Sequence, residues 1–373
     1  MVERSQNQDF EGRFAEEWSI IQSNLKKPSI LVMGGSGTGK SALVNLVFKQ
    51  EIATVGGGRP VTRGIIAYDN PYLTIYDSEG YESGDEDQTR YNNLIFGFIE
   101  EKARSVDTAV DIVWYCLSGP SARFTSRDAE IIRQILALNK PLALVITHID
   151  VTTAKQVEGL TAAINEYNLN APIFWSSIDM NLKFDNGLDQ LHEWSKERLD
   201  ESRRFSFIAA SNRDLAAKEH SGAAIIKQHI VAAFAFGFAP IPFADAPILI
   251  ANQVGLLARL STLWNMSSLK DDLVATGGLE IVMANIGRTL SANLLKLIPG
   301  VGSLLGGAIN GALASALTYA LGIAFNKLCR RILEDQLAGK KTDILKYLDI
   351  NFFPNIKNLY DEYKKNKSSP SKI

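Results

Sequence analysis

The stretch Gly34-Gly35-Ser36-Gly37-Thr38-Gly39-Lys40-Ser41 constrains this chain more than any other. It has the spacing GxxxxGK[ST] in full. It lies between an apolar, β-branched run at 29–33 and a helix-compatible run at 41–50. A strand, a glycine loop and a helix in that order form a phosphate cradle. The glycines let backbone N–H groups converge on phosphate oxygens without a side chain in the way, and the helix start adds positive potential. In such a cradle Lys40 reaches the β- and γ-phosphates, and the Ser41 hydroxyl is a magnesium ligand.

A second anchor for the metal follows. The apolar run at 72–76 ends in Asp77, and Asp77-Ser78-Glu79-Gly80 has the spacing DxxG. Asp77 is placed to hold a water of the magnesium shell, and the Gly80 N–H to sense the γ-phosphate. Thr62, in the flexible glycine-rich loop 56–63, is the candidate to close over magnesium and the γ-phosphate. Both loops would be ordered by the γ-phosphate and released after hydrolysis.

Around these motifs the first 200 residues alternate. Strands are expected at 29–33, 64–67, 72–76, 111–117, 141–146 and 172–175, and helices at 41–50, 126–138, 154–167 and 186–198. Ser126 is the expected N-cap of its helix. The pattern predicts an α/β fold over 29–200, a doubly wound, mostly parallel sheet covered on both faces. In front of it Phe10, Phe14, Trp18, Ile21 and Leu25 recur at helical spacing, so 1–28 reads as a helix. Its stripe packs either on this protein or on a partner.

Behind it the composition shifts. Residues 1–200 carry 47 charged side chains, whereas 205–330 carry 15. This predicts a charge-poor, all-helical domain over 201–335 and a charged tail over 336–373. The net charge of the chain is −2, which argues against a chain-wide basic surface, and no nucleic acid is expected as partner. Cys116 and Cys329 make no disulfide framework, and the four histidines show no paired metal spacing. Charges at Arg4, Glu11, Arg13, Glu16 and Glu17 interrupt any signal-peptide run. A cytoplasmic protein is expected, either free or on the cytoplasmic face of a membrane.

With these motifs the front half resembles the translation-factor-like class of P-loop GTPases, near the Era/TrmE-like members. The resemblance implies GTP and GDP as ligands, Mg²⁺ as cofactor, and hydrolysis of GTP to GDP and phosphate. The class reads guanine with an [NT]KxD motif after the fifth strand, and Thr147-His148-Ile149-Asp150 stands in that place. The Asp150 carboxylate can accept from guanine N1–H and N2–H₂, donors that adenine lacks. Thr147 replaces the commoner Asn. His148 replaces Lys, whose stem flanks the base. Ser176-Ser177 stand where the class offers backbone N–H to guanine O6. Tyr81 occupies the position where many relatives carry a water-orienting Gln, so slow intrinsic hydrolysis is expected. The loop form, with Gly37 before Thr38, is also similar to immunity-related, AIG1- and septin-type GTPases. That similarity implies a homodimer or oligomer in the GTP state.

The charge-poor block carries its own expectation. Residues 228–244 hold no Asp, Glu, Lys or Arg, and after Asp245 the run resumes to 258. Residues 297–326 are also uncharged, long enough as a helix to span a bilayer. Two readings stand: a soluble bundle packed through small residues, or lipid contact through 228–258 and 297–326. Lys327, Arg330 and Arg331 are available to anionic headgroups. Stretches 239–246 and 293–302 resemble the YcjF-type domain found behind Era/TrmE-like GTPase domains in bacteria. The combined expectation is a GTP-hydrolysing switch or assembly protein at or near a membrane. The alternatives are a soluble protein-interaction switch and an RNA or ribosome-assembly GTPase.

Overall fold

The computed structural model describes residues 2–53, 59–62, 64–79, 85–177, 187–236, 245–266 and 306–340, with Tyr347, Asn358, Leu359, Glu362 and Tyr363. Gly80 and Tyr81 lie outside the described residues, as do 239–244, 293–302 and the start of the 297–326 run. The chain forms two compact units. One is 25–213. The other joins the first helix, α1 (Val2–Asn24), to residues 214–373.

The unit 25–213 is a sheet between two helical layers. In chain order it contains β1 (Ser29–Gly34), α2 (Lys40–Phe48), β2 (Arg59–Thr62), β3 (Ile65–Asp69), β4 (Thr74–Ser78) and α3 (Asp85–Lys102). There follow β5 (Ile112–Ser118), α4 (Ser126–Ala137), β6 (Leu142–Thr147), α5 (Ala154–Glu166), β7 (Ile173–Trp175), α6 (Leu188–Glu197) and α7 (Glu201–Ala210). The seven strands run in the order β2-β3-β4-β1-β5-β6-β7. From β4 to β7 all neighbours are parallel, and β2 and β3 form an antiparallel edge.

Strand alternation explains the layers. Ile30 and Val32 face one side and pack with Val44, Val47 and Phe48 of α2, Leu191 of α6 and Phe207 of α7. Leu31 and Met33 face the other, with Ile95 and Phe98 of α3, Ile132 and Ile135 of α4 and Leu160 of α5. Buried on both faces, β1, β5 and β6 are continuous apolar runs, as a covered parallel sheet requires.

Several details differ from the sequence expectation. Arg59–Thr62, expected within a flexible loop, is an edge strand whose ladder to β3 shifts register between Pro60 and Thr62. Proline suits an edge, where one side of the ladder needs no N–H. Helix α3 was not anticipated, because its first turns are polar. Its inner stripe of Tyr91, Ile95, Phe98 and Ile99 nevertheless has helical spacing. The N-cap of α4 is Thr125 and not Ser126. Thr125 Oγ1 accepts from the Asp128 N–H at 3.3 Å, and Asp128 Oδ2 accepts from the Thr125 N–H at 2.8 Å. A capping box needs an acid or amide three residues on, and Ser126 has Ala129 there.

The compact unit continues past residue 200 because α7 completes its core. Phe207 meets Phe48 at 5.2 Å and His192 at 4.8 Å between ring centroids. Its end is then sewn to the far end of α2. The Asn212 N–H donates to Phe48 O at 2.9 Å, and Arg213 Nε to Val47 O at 2.8 Å. Arg213 also donates to Leu46 O and pairs with Asp189. One side chain thus satisfies carbonyls that a helix terminus leaves orphaned. Arg213→Ala is expected to cost about 2 kcal/mol, since hydrogen bonds from a charged donor are lost in a half-buried place. The denaturant midpoint should fall accordingly, and an unchanged midpoint would refute this role for the clasp.

The helical unit contains α1, α8 (Leu215–Phe236), α9 (Asp245–Leu263) and α10 (Gly306–Leu337). The stripe of α1 packs on its own unit: Phe14 and Trp18 are buried, and α1 lies against α9. Helix α10 packs on α8 and α9 with Leu317, Ala320, Leu321, Ala324 and Phe325 buried. The helices approach closely because Gly322 leaves room for Ile226, and Gly222 for Asn326. Asn326 Oδ1 in turn accepts from Trp264 Nε1 at 2.7 Å. Lys218 is fully buried and donates to Leu263 O at the end of α9 at 2.8 Å, while burial pushes its ammonium down to about 7. The described part of the 297–326 run therefore lies in a packed helical layer. Among the described residues, no helix is long and apolar enough to cross a membrane.

Candidate nucleotide-binding site

The motif residues gather at the carboxyl ends of the parallel strands, where open α/β sheets bind ligands. Gly34 ends β1 with φ +140°, and a Cβ there would collide with the Cys116 carbonyl oxygen of β5. Only glycine lets the loop leave the sheet at that point. Ser36 and Gly37 form the exposed tip, and Gly39 caps α2 at φ +75°. Thr38 Oγ1 donates to Gly35 O at 2.9 Å. Lys40 lies folded under the loop, and its Nζ donates to Gly34 O at 3.3 Å and Gly35 O at 3.0 Å. Burial lowers its pKa, while Cys116 and Asp77 nearby act the other way.

The two residues expected to face the metal, Ser41 and Asp77, are in contact. Ser41 Oγ donates to Asp77 Oδ2 at 2.6 Å. Burial raises the Asp77 pKa, opposed by the Ser41 hydrogen bond and the Lys40 charge. Asp77 is 7% exposed, and among the described residues no donor reaches its buried Oδ1. A buried carboxylate oxygen with no partner calls for a cation or a bound water. Thr62 closes β2, its backbone paired with Ile65.

The base-side residues stand beside the same loop. Thr147 is buried at the end of β6, and its Oγ1 lies 2.7 Å from Thr38 O and 3.1 Å from Leu117 O. Thr147 thereby ties the end of β6 to the phosphate loop. His148 sits at φ +57°, its Nδ1 3.1 Å from Thr147 Oγ1 and its ring against Gly39. Asp150 follows on a single 3-10 turn, and Ser177 Oγ donates to its Oδ1 at 3.2 Å. The Ser176 N–H differs from expectation. It donates to Ile146 O at 2.8 Å, continuing the β6–β7 ladder, and so does not point at a ligand. Ser176 O accepts from the Ile149 N–H at 3.2 Å and holds the two loops together.

One residue of the site escaped the sequence. Tyr91, from α3, places its hydroxyl 3.3 Å from the Gly34 N–H and 2.8 Å from Ser78 Oγ. The only signal was its place in the apolar stripe, which reads as core.

The sequence profile of the family described as 50S ribosome-binding GTPase matches residues 29–148. Magnetosome membrane protein 22 of Magnetospirillum gryphiswaldense is 33% identical over 118 residues, 31% of this chain and 58% of that protein. GTPase Era of Leuconostoc citreum is 22% identical over 190 residues, 50% of this chain and 59% of that protein. The chain thus spans less than two thirds of the length of either relative. Among solved structures, a probable GTP-binding protein engB aligns at a TM-score of 0.35 and 21% identity, over 47% of this chain and 98% of that one. Residues 29–148 match that family's profile, and among the described residues the seven-stranded α/β sheet with its formed phosphate loop has the P-loop GTPase fold.

Proposed function

We propose that this protein binds GTP and GDP with Mg²⁺ and hydrolyses GTP, and that its helical unit carries the result to a membrane surface. The observation that carries the first part is the pair Ser41–Asp77 beside Lys40, with Asp77 Oδ1 buried and, among the described residues, reached by no donor. Two hard oxygen donors beneath a phosphate cradle fit magnesium. Bound there, magnesium would neutralise charge on the β- and γ-phosphates. The chain supplies the rest. Lys40 and the loop amides from Gly35 to Ser41 stabilise phosphate charge, and Thr62 and Gly80 sense the γ-phosphate. Asp150, steadied by Ser177, accepts from the guanine edge, and His148 flanks the base beside Gly39. In this reading two copies meet in the GTP state.

The membrane part rests on three supports: the uncharged stretches 228–258 and 297–326, the YcjF-type resemblance of 239–246 and 293–302, and the name of the magnetosome relative. The description of the matched family favours a second reading, a ribosome-binding GTPase. The net charge of −2 speaks against it.

One experiment separates them. Purified protein is floated with anionic liposomes, and in parallel sedimented with ribosomal particles, in GDP and in a non-hydrolysable GTP analogue. Flotation that depends on the nucleotide and survives high salt is expected. Co-sedimentation without flotation would overturn the membrane assignment in favour of the ribosomal one.

A further inference from the structure

We propose that the Tyr91 hydroxyl is a positioning group that sets the distance between the phosphate loop and the magnesium carboxylate. This inference rests on the nucleotide-binding reading above. It starts from where the sheet opens. Strands β1 and β4 pair from Ser29–Thr74 to Val32–Asp77, and the pairing stops there. Beyond that point β1 turns into the phosphate loop through Gly34, and β4 ends in Ser78. The Tyr91 hydroxyl fills the parting: the Gly34 N–H donates to it at 3.3 Å, and it shares a proton with Ser78 Oγ at 2.8 Å.

Each contact leads to one half of the site. Gly34 O accepts from Lys40 Nζ at 3.3 Å, so the first arm runs from Tyr91 through Gly34 to the lysine. Ser78 follows Asp77 and, by strand alternation, faces the opposite side of the sheet. The second arm therefore holds β4 from behind while Asp77 meets Ser41 in front at 2.6 Å. Tyr91 itself cannot drift. It is 5% exposed and packed in the core with Met33, Tyr115 and Ile95. Burial pushes its phenol up to about 12, so it keeps the proton the bridge needs.

The position of the helix adds a consequence. Helix α3 begins at Asp85, five residues after Gly80, the candidate γ-phosphate sensor. Tyr91 thus ties the helix that follows the sensor to the phosphate loop and to β4. A displacement of α3 would reach Lys40 and Asp77 through one oxygen atom.

The test uses the full chain and the variants Tyr91→Phe and Ser78→Ala. Tyr91→Phe keeps the ring in the core and removes only the bridge. In nucleotide-free protein, amide exchange of the peptide 33–37 is expected to quicken about tenfold, because the Gly34 N–H loses its acceptor. With nucleotide, the Mg²⁺ concentration needed to slow GDP release should rise about tenfold, as found when groups behind metal ligands are removed. The kcat for GTP should fall while KM stays within about twofold. The double variant should be no worse than Tyr91→Phe alone, because that change already removes the Ser78 contact along with the Gly34 one. A lower Tm with unchanged exchange, Mg²⁺ requirement and kcat would overturn the proposal and leave Tyr91 as core. Wild-type protein that shows no Mg²⁺-dependent nucleotide retention would instead overturn the nucleotide reading, and the exchange result would still decide whether the bridge exists.

Discussion

Lys40→Ala is expected to remove most of the nucleotide affinity. Lys40 is buried, and its ammonium is held under the loop by two carbonyls, with Asp77 close by. Its position is set before any ligand arrives, so little ordering cost is left for the binding step. Each hydrogen bond from such a cation to phosphate is worth about 1.5–3 kcal/mol. Two of them correspond to a loss of roughly a hundredfold to ten-thousandfold in affinity. Because Lys40 also holds the Gly34 and Gly35 carbonyls, its removal should loosen the loop as well. Lys40→Met, which keeps the stem and drops the charge, separates packing from charge. Titration calorimetry with GTP and GDP is the check, and wild-type affinity in either variant would remove the phosphate-loop assignment.

The second large effect concerns the base. Asp150→Asn should lower GTP and GDP affinity by about a hundredfold, through loss of two charged hydrogen bonds to guanine N1–H and N2–H₂. The replacement amide has one acceptor and presents N–H₂ donors to a donor edge. Xanthosine triphosphate carries oxygen where guanine has the amine, so the variant should regain affinity for it. Ser177, which donates to Asp150 Oδ1 at 3.2 Å, keeps the carboxylate in one orientation. Equal affinities of the wild type for GTP and ATP would remove Asp150 from base reading altogether.

Lys40 and Ser41 are legible because the cradle is local: eight consecutive residues carry the loop, the cap and the ligands. Asp77 is legible because a strand end with a carboxylate can be seen in five residues. Thr147, His148 and Asp150 needed a resemblance to be noticed, since the spacing fits [NT]KxD but His148 stands in place of Lys and Thr147 in place of the commoner Asn. Their bonds to Thr38 and Ser177 span 109 and 27 positions, and pattern alone does not join such residues. The Ser176 N–H shows the converse. The resemblance implies a free donor there, but the parallel ladder to β6 already uses it.

Hydrophobic pattern and turn chemistry determined the parallel sheet, the helices on its two faces and the phosphate loop, because these depend on neighbours a few residues away. Tertiary packing decided the rest. Residues 59–62 became a strand because β3 offered an edge to pair with. Helix α7 joined the first unit because Phe207 filled the space between Phe48 and His192. Arg213 found the orphan carbonyls of a helix 166 residues earlier, and Tyr91 reached a gap 57 residues from its own position. In each case a buried polar group or an open apolar surface had to be satisfied, and the partner was whichever segment the completed fold brought within reach.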